Sequence, residues 1–253
     1  MEWVFSAYSH PGKVRKSNED YFYIPTGQTA VKNLIMVADG MGGHNAGDIA
    51  SRMVVDSILE YYNENIDGLT SLEQVKDLLM RAIQDANEKV YHQSMACAEY
   101  EGMGTTLTLA YFYDNMACIG HVGDSCAYLI RDRSVKKITR DHSLVQELLE
   151  NGSITQDEVN THPQKNVITR ALGTGIFVNA DYYEINLKHN DIILLCTDGL
   201  VNHVNLADNI ELFYSLASLD EITLALGKKA LDGGGIDNVT VVVAKYSCTA
   251  EKR

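Results

Sequence analysis

One recurring pattern limits what this chain can fold into. An apolar run that reads as a β-strand stops abruptly at an acidic residue beside a glycine. It appears as Leu34-Ile35-Met36-Val37-Ala38-Asp39-Gly40 and returns as Ile192-Ile193-Leu194-Leu195-Cys196-Thr197-Asp198-Gly199. Ile119-Gly120-His121-Val122-Gly123-Asp124 is a variant. Such a run presents a carboxylate at the tip of a core strand, and the glycine lets the backbone turn sharply or approach an ion closely. A single strand-end Asp-Gly is ordinarily just a turn. Three such sites, with Asn18-Glu19-Asp20 and Asp237-Asn238 besides, gather more acid than turns require. Buried carboxylates need a partner or a cation, and few arginines or lysines flank these motifs. Clustered hard oxygen ligands suit Mg²⁺ or Mn²⁺. No HExxH or CxxC…CxxC spacing points to zinc. Arg15, just before Asn18-Glu19-Asp20, is the one nearby cation able to grip a phosphate through two parallel hydrogen bonds. Alone, amid Lys13 and Lys16, it would read as a solvated surface charge.

Around these tips the chain alternates helical and extended spacing. Helices are expected from about 46 to 63 and 71 to 95, the second with Ser71 and Gln74 as a capping box. A third is expected over 143–150, ending at Asn151-Gly152, and two more near 206–216 and 219–231. Strands are expected over 34–38, 105–113, 117–122, 127–130, 181–187, 192–196 and 239–243, with Asp114-Asn115 as a hairpin turn. They come in consecutive groups, which favours antiparallel sheets with helices outside over a doubly wound parallel sheet. No linker, repeat or low-complexity tract divides the 253 residues, so one domain is expected.

The formal net charge of −13 argues against a nucleic-acid partner, which would need a basic stripe. It does not exclude a phosphorylated ligand, because bound metal reverses the local field. The five cysteines, Cys97, Cys118, Cys126, Cys196 and Cys248, form no CxxC pair and are expected as reduced thiols of a cytoplasmic protein. The N-terminus lacks the pattern of a signal peptide, and no apolar stretch is long enough for direct membrane insertion.

Taken together and in order, the motifs resemble the metal-dependent protein phosphatases, the type 2C serine/threonine family, in its small bacterial branch. The matching stretches begin with Arg15-Lys16-Ser17-Asn18-Glu19-Asp20 and Val37-Ala38-Asp39-Gly40-Met41-Gly42-Gly43. Gly102-Met103-Gly104-Thr105-Thr106, Val122-Gly123-Asp124-Ser125 and Thr139-Arg140-Asp141-His142-Ser143-Leu144-Val145 follow. Val167-Ile168-Thr169-Arg170-Ala171-Leu172-Gly173, Thr197-Asp198-Gly199-Leu200 and Asp237-Asn238-Val239-Thr240 close the series. Each is weak alone; the ordered set is specific.

The resemblance implies an α+β fold: a central sandwich of two antiparallel sheets flanked by helices, with metal ions at one end between the sheets. It implies that Asp39 bridges two Mn²⁺ or Mg²⁺ ions and that the Gly40 carbonyl binds one of them. Asp198 and Asp237 would complete the first ion's shell. Glu19 would serve the second, with Asp20 in support, while Asp124 and Asp198 would hold a weaker third. Arg15 would hold the phosphate, with Asn238 and Thr105 supporting the site. Two ions ~3.5–4 Å apart would share a hydroxide that attacks phosphorus in line. The implied substrates are phosphoserine and phosphothreonine on proteins, opposed by a serine/threonine kinase, with the enzyme acting as a monomer. By the same resemblance 143–166 is a flap subdomain; on its own that segment reads as a surface loop.

Two positions depart from the family pattern. Met41 stands where other members carry a histidine suggested as the general acid, so no acid is assigned; His44 and His142 read as structural. Cys126 stands where an arginine usually follows Gly-Asp-Ser, which predicts a lost ion pair and weaker ordering around Asp124. Other phosphatase chemistries fail on the residues: no cysteine has arginine six places on, Asp39-Gly40-Met41 is not DxD, and GNHD/E is absent. Gly123-Asp124-Ser125-Cys126-Ala127 is not a nucleophile elbow. A catalytically silent pseudophosphatase would be expected to lose Asp39, Asp198 or Asp237, and all are present. A hydrolase of a small phosphorylated metabolite would share the chemistry and differ only in its substrate pocket.

Overall fold

The computed structural model describes residues 2–247 except 28, 30, 44, 45, 67, 97 and 160. In chain order the elements are β1 (Glu2–His10), β2 (Asp20–Tyr23), β3 (Leu34–Met41), α1 (Ala46–Asn65) and α2 (Leu72–Ala96). Then come β4 (Gly104–Thr105), β5 (Leu107–Tyr113), β6 (Met116–Val122), β7 (Cys126–Arg131) and β8 (Ser134–Lys137). α3 (Leu144–Glu150), α4 (Gln156–Val159), β9 (Asp181–Asn186) and β10 (Ile192–Cys196) follow, and α5 (Asp198–Val201), α6 (Leu212–Ser215), α7 (Leu219–Asp232) and β11 (Val239–Ser247) end the series. One sheet runs β1-β11-β10-β7-β8 and the other β2-β3-β5-β6-β9, with β4 pairing β3. Every pairing is antiparallel. The α+β sandwich expected from the motifs is the fold.

Strand alternation sorts the side chains into three cores. In β3, Leu34, Met36 and Ala38 face α1 and α2, while Ile35 and Val37 face the other sheet. In β10, Ile192, Leu194 and Cys196 pack with Leu200, Phe213, Leu226 and Ala230 of α5 to α7, while Ile193 and Leu195 enter the inter-sheet layer. β11 divides likewise: Val239, Val241 and Val243 outward, Val242 and Ala244 inward. The layers are therefore helix, sheet, sheet, helix. Trp3 closes one end of the inter-sheet core, stacked on Phe112 with ring centroids 3.8 Å apart.

At the opposite end the same alternation turns polar, strand after strand. The inward set of β2 steps from Phe22 to Asp20, and that of β3 from Val37 to Asp39. In β5 it steps from Ala110 to Thr108, in β6 from Ile119 to His121, and before β7 from Ala127 to Ser125. In β10 it passes from Leu195 to Thr197, and in β11 from Val242 to Thr240 and Asn238. Thr108, His121, Ser125, Thr197 and Thr240 are all at 0% exposure. A polar end of the core this deep must be hydrogen-bonded throughout or be completed by a ligand.

Several expected boundaries shift. β1, β2 and β8 extend the sheets beyond the strands expected. The Ser71 cap holds, with Gln74 donating its N–H to Ser71 Oγ at 3.3 Å, but the Gln74 side chain returns to the Thr70 N–H at 2.8 Å. The helix expected over 206–216 shrinks to α6, because Asn205 Oδ1 takes the Ala207 N–H at 2.9 Å and holds that stretch in a turn. The strand expected over 105–113 breaks at Thr106, whose N–H donates to the Asp39 carbonyl at 2.9 Å. Cys118, Cys126 and Cys196 are buried free thiols; Cys97, Cys248 and His44 lie outside the described residues. Among the described residues no helix is long and apolar enough to cross a membrane.

Candidate metal centre

The polar end opens into a 260 Å³ cavity lined by Arg15, Glu19, Asp39, Gly40, Asp124, Asp198, Asp237 and Asn238. Every residue assigned a metal- or phosphate-binding role from the sequence lines it except Asp20, and of the two supporting residues Asn238 lines it and Thr105 does not. Met41, Gly42, Thr106, Asn166 and Ile168 complete the wall.

Asp39 forms the floor. Its N–H donates to Thr106 Oγ1 at 2.9 Å, and its carbonyl accepts from Thr105 Oγ1 at 2.9 Å. Thr105 thus braces the Asp39 backbone. Asp20 stands directly across from Asp39 in the β2–β3 register. Its Oδ2 accepts the Thr197 hydroxyl at 2.9 Å, while its Oδ1 is buried with no partner. Glu19 is set by its backbone: its N–H donates to Asn238 Oδ1 at 2.8 Å, and its carbonyl accepts from Ser51 Oγ at 2.6 Å. Gly40 has to be glycine, because a Cβ there would lie 2.0 Å from the Gly47 carbonyl oxygen. Asn238 ties the segments together, donating to the Pro11 and Ser17 carbonyls at 3.0 and 2.9 Å. All three of its main hydrogen-bonding capacities are used, and they lock the Arg15–Glu19 loop beside Asp237.

The electrostatics are those of uncompensated acid. Burial, reinforced by Asp20, Asp198, Asp124 and Asp237, pushes the Asp39 carboxyl well above its usual range. Burial likewise pushes Asp20 and Asp124 up to about 7, with Asp198 adding repulsion in both cases. Burial and Asp237 raise Asp198, with the Asn202 side-chain amide, 3.1 Å from its Oδ2, opposing. Burial also raises Glu19, with Arg15 opposing and Asp48 contributing repulsion. Asp48 Oδ1 is itself buried without a partner; nothing in the sequence pattern singled out this residue. The one lining cation among the described residues, Arg15, donates Nη2–H to Asp237 Oδ2 at 2.9 Å. The chemistry of the donors therefore fits divalent cations: hard oxygens, excess negative charge and an orphaned buried oxygen at Asp20. Among the described residues no three His, Cys, Asp or Glu groups converge at ligand spacing.

His142 is 3% exposed and is not among the lining residues. Beside Cys126 an ion pair is present. Lys137 Nζ reaches both Asp141 oxygens at 2.7 Å, and Asp141 Oδ1 lies 3.6 Å from Cys126 Sγ. The cation comes from β8, the strand paired with β7.

A sandwich of two antiparallel sheets, with several carboxylates and an arginine lining one cavity at its polar end, is the arrangement of a metal-dependent phosphatase. The protein phosphatase 2C family model matches residues 12–230. The serine/threonine phosphatase Stp of Listeria monocytogenes is 36% identical over 242 residues, covering 96% of this chain and 95% of that one. The solved serine/threonine phosphatase of S. agalactiae superposes with a TM-score of 0.90 at 32% identity, over 98% of this chain and 100% of that one. The catalytic domain of the serine/threonine phosphatase PstP, solved with two manganese ions, superposes with a TM-score of 0.83 at 35% identity, over 97% and 99% of the two chains. The chain belongs to the protein phosphatase 2C family.

Proposed function

We propose that this protein hydrolyses phosphoserine and phosphothreonine on proteins, at a centre for two Mn²⁺ or Mg²⁺ ions built on Asp39. The observation that carries it is the meeting of Asp39, Asp124, Asp198 and Asp237 at one cavity whose only lining cation among the described residues is Arg15. Asp39, Asp198 and Asp237 would hold one ion, and Asp39, Glu19 and the Gly40 carbonyl would hold the other. Asp20 backs the site, and Asp124 with Asp198 offers a place for a weaker third ion. When bound, the ions supply an activated water and neutralise charge on the phosphoryl group.

The chain's own groups do the rest. Arg15 binds and orients the phosphate. Its bond to Asp237 engages one of five guanidinium N–H donors and leaves the others for substrate oxygens. Asn238 and Thr105 keep Arg15, Glu19 and Asp39 in mutual register. The segment 143–166 is the flap, and its end residues Asn166 and Ile168 beyond it already line the cavity. The site lies within a single catalytic domain, acting as a monomer, with a serine/threonine kinase as the opposing enzyme. The buried free thiols support a cytoplasmic setting.

A phosphothreonine peptide should be turned over with Mn²⁺ and not in EDTA; absence of turnover with every divalent metal would refute the enzyme. Arg15→Ala should raise KM for that peptide roughly tenfold with a smaller change in kcat, since a charge-assisted bond contributes about 1.5–3 kcal/mol. An unchanged KM would remove Arg15 from phosphate binding.

A further inference from the structure

The polar end of the core continues past the carboxylates to His142. This residue holds the Gly123 turn by two bonds. Its backbone N–H donates to the Gly123 carbonyl at 2.7 Å, and its ring Nδ1 accepts the Gly123 N–H at 3.1 Å. Gly123 has φ +108°, and a Cβ there would lie 2.5 Å from Thr106 Cγ2, so the turn is packed tightly on that side. The next residue is Asp124.

The other side of His142 is built into the base of the 143–166 segment. Its carbonyl accepts the Thr169 N–H at 2.8 Å. Ser143 pairs with Ile168 across an isolated bridge, and the Leu144 N–H donates to the Val167 carbonyl at 2.8 Å. Ser143 also caps α3, accepting the Gln146 N–H at 3.3 Å. The second ring nitrogen is engaged as well. Nε2 lies 3.3 Å from Asp181 Oδ2 and 3.1 Å from Arg170 Nη1, which itself donates to Asp181 Oδ1 at 3.1 Å. An imidazole whose Nδ1 accepts carries its proton on Nε2, so the hydrogen-bond pattern assigns the tautomer that donates to Asp181. Burial holds His142 below the ordinary histidine range, with Asp181 opposing, which keeps the Nδ1 lone pair free to accept.

We propose that His142 is a positioning residue that joins the base of the flap to the Gly123 turn, so that the flap and Asp124 shift together. The proposal rests on the identification of 143–166 as the flap of a phosphatase site. A purely structural histidine would hold the fold but would not link two segments in this way.

The test compares wild type with His142→Asn, His142→Gln and His142→Ala. Asparagine can place an acceptor oxygen near the Nδ1 position; glutamine places its amide nearer Nε2. Amide exchange at 122–126 and 143–169 is followed by mass spectrometry, without and with Mn²⁺, alongside kcat and KM for a phosphothreonine peptide. In the wild type, both segments should gain protection together on adding Mn²⁺. His142→Asn should keep that joint response. His142→Gln and His142→Ala should exchange faster at 122–126, lose the joint response, and lower kcat on the order of tenfold, because small misplacements near a reacting centre cost that much or more. If the alanine variant fails to fold, the asparagine–glutamine pair decides. Joint protection retained in the glutamine variant, or lost equally in the asparagine variant, would overturn the proposal, as would its absence from the wild type. Failure of the phosphatase reading would show separately, as no turnover by wild type, since the exchange readout needs none.

Discussion

Asp39→Ala is expected to lower kcat on the order of a thousandfold or more while leaving the metal-free protein at least as stable as the wild type. The two effects share one cause. Asp39 lies in the acidic cluster with Asp20 directly across from it and Asp198 lining the same cavity, and burial together with these neighbours disfavours its charged form. Without ions that charge is a liability, and removing an uncompensated buried carboxylate commonly leaves stability unchanged or raises it. With ions the same carboxylate holds the centre together, and losing several kcal/mol of transition-state stabilisation amounts to about 10³ in rate. The measurement is kcat with a phosphothreonine peptide and Mn²⁺, together with Tm in EDTA and in Mn²⁺. The variant should also lose most of the Mn²⁺-induced rise in Tm, because a ligand stabilises only the state that binds it. Near wild-type turnover, or a marked drop of Tm in EDTA, would overturn this account of Asp39. A site kept at the expense of stability is the usual outcome where function requires like charges together.

Metal-free protein should also lose stability as pH rises from about 4 to about 7. The sign follows from Asp20. Burial, with Asp198 and Asp237 repelling, pushes its carboxyl up to about 7, whereas an unfolded aspartate titrates near ~3.9. The folded state therefore holds this proton more tightly than the unfolded chain. The stabilisation that results is fully present below about pH 4 and is lost as pH passes through about 7. Asp124, also pushed up to about 7, acts in the same direction. Mn²⁺ should cancel the trend at neutral pH by pairing with the ionised forms. Asp20→Asn keeps an oxygen for the Thr197 hydroxyl and removes the titration, so its stability should vary less across this window. Tm in EDTA at a series of pH values checks it, with several degrees expected between the ends for wild type. Parallel curves for wild type and Asp20→Asn would show that Asp20 does not titrate in this range.

Much of this was legible in the residues. The tips at Asp39, Asp124 and Asp198 announce themselves because an apolar period of two stops at an acid, and both sheet faces of β3 and β10 are buried enough to leave no polar interruption. β8 escaped notice because Ser134-Val135-Lys136-Lys137 forms a solvent-facing edge with little apolar period, and edges are protected by charges of this sort. β2 escaped because its four residues begin with Asp20, which looks like a loop acid until its partner Asp39 is known. The threonines and serine behind the carboxylates had a signal that went unused: they continue the inward-facing register of their strands past the point where it turns polar.

The amino-acid sequence by itself determined that acids end the core strands, and that so many of them together call for a cation. Local pattern suffices there, because strand alternation and burial act over a few residues. The tertiary structure alone decided which acids meet. Asn238 fixes Glu19 across 219 positions of chain, Arg15 finds Asp237 across 222, and Lys137 rather than residue 126 supplies a cation beside Asp141. Such pairings are settled by how two sheets pack and in what register, and that depends on the whole chain closing its cores at once.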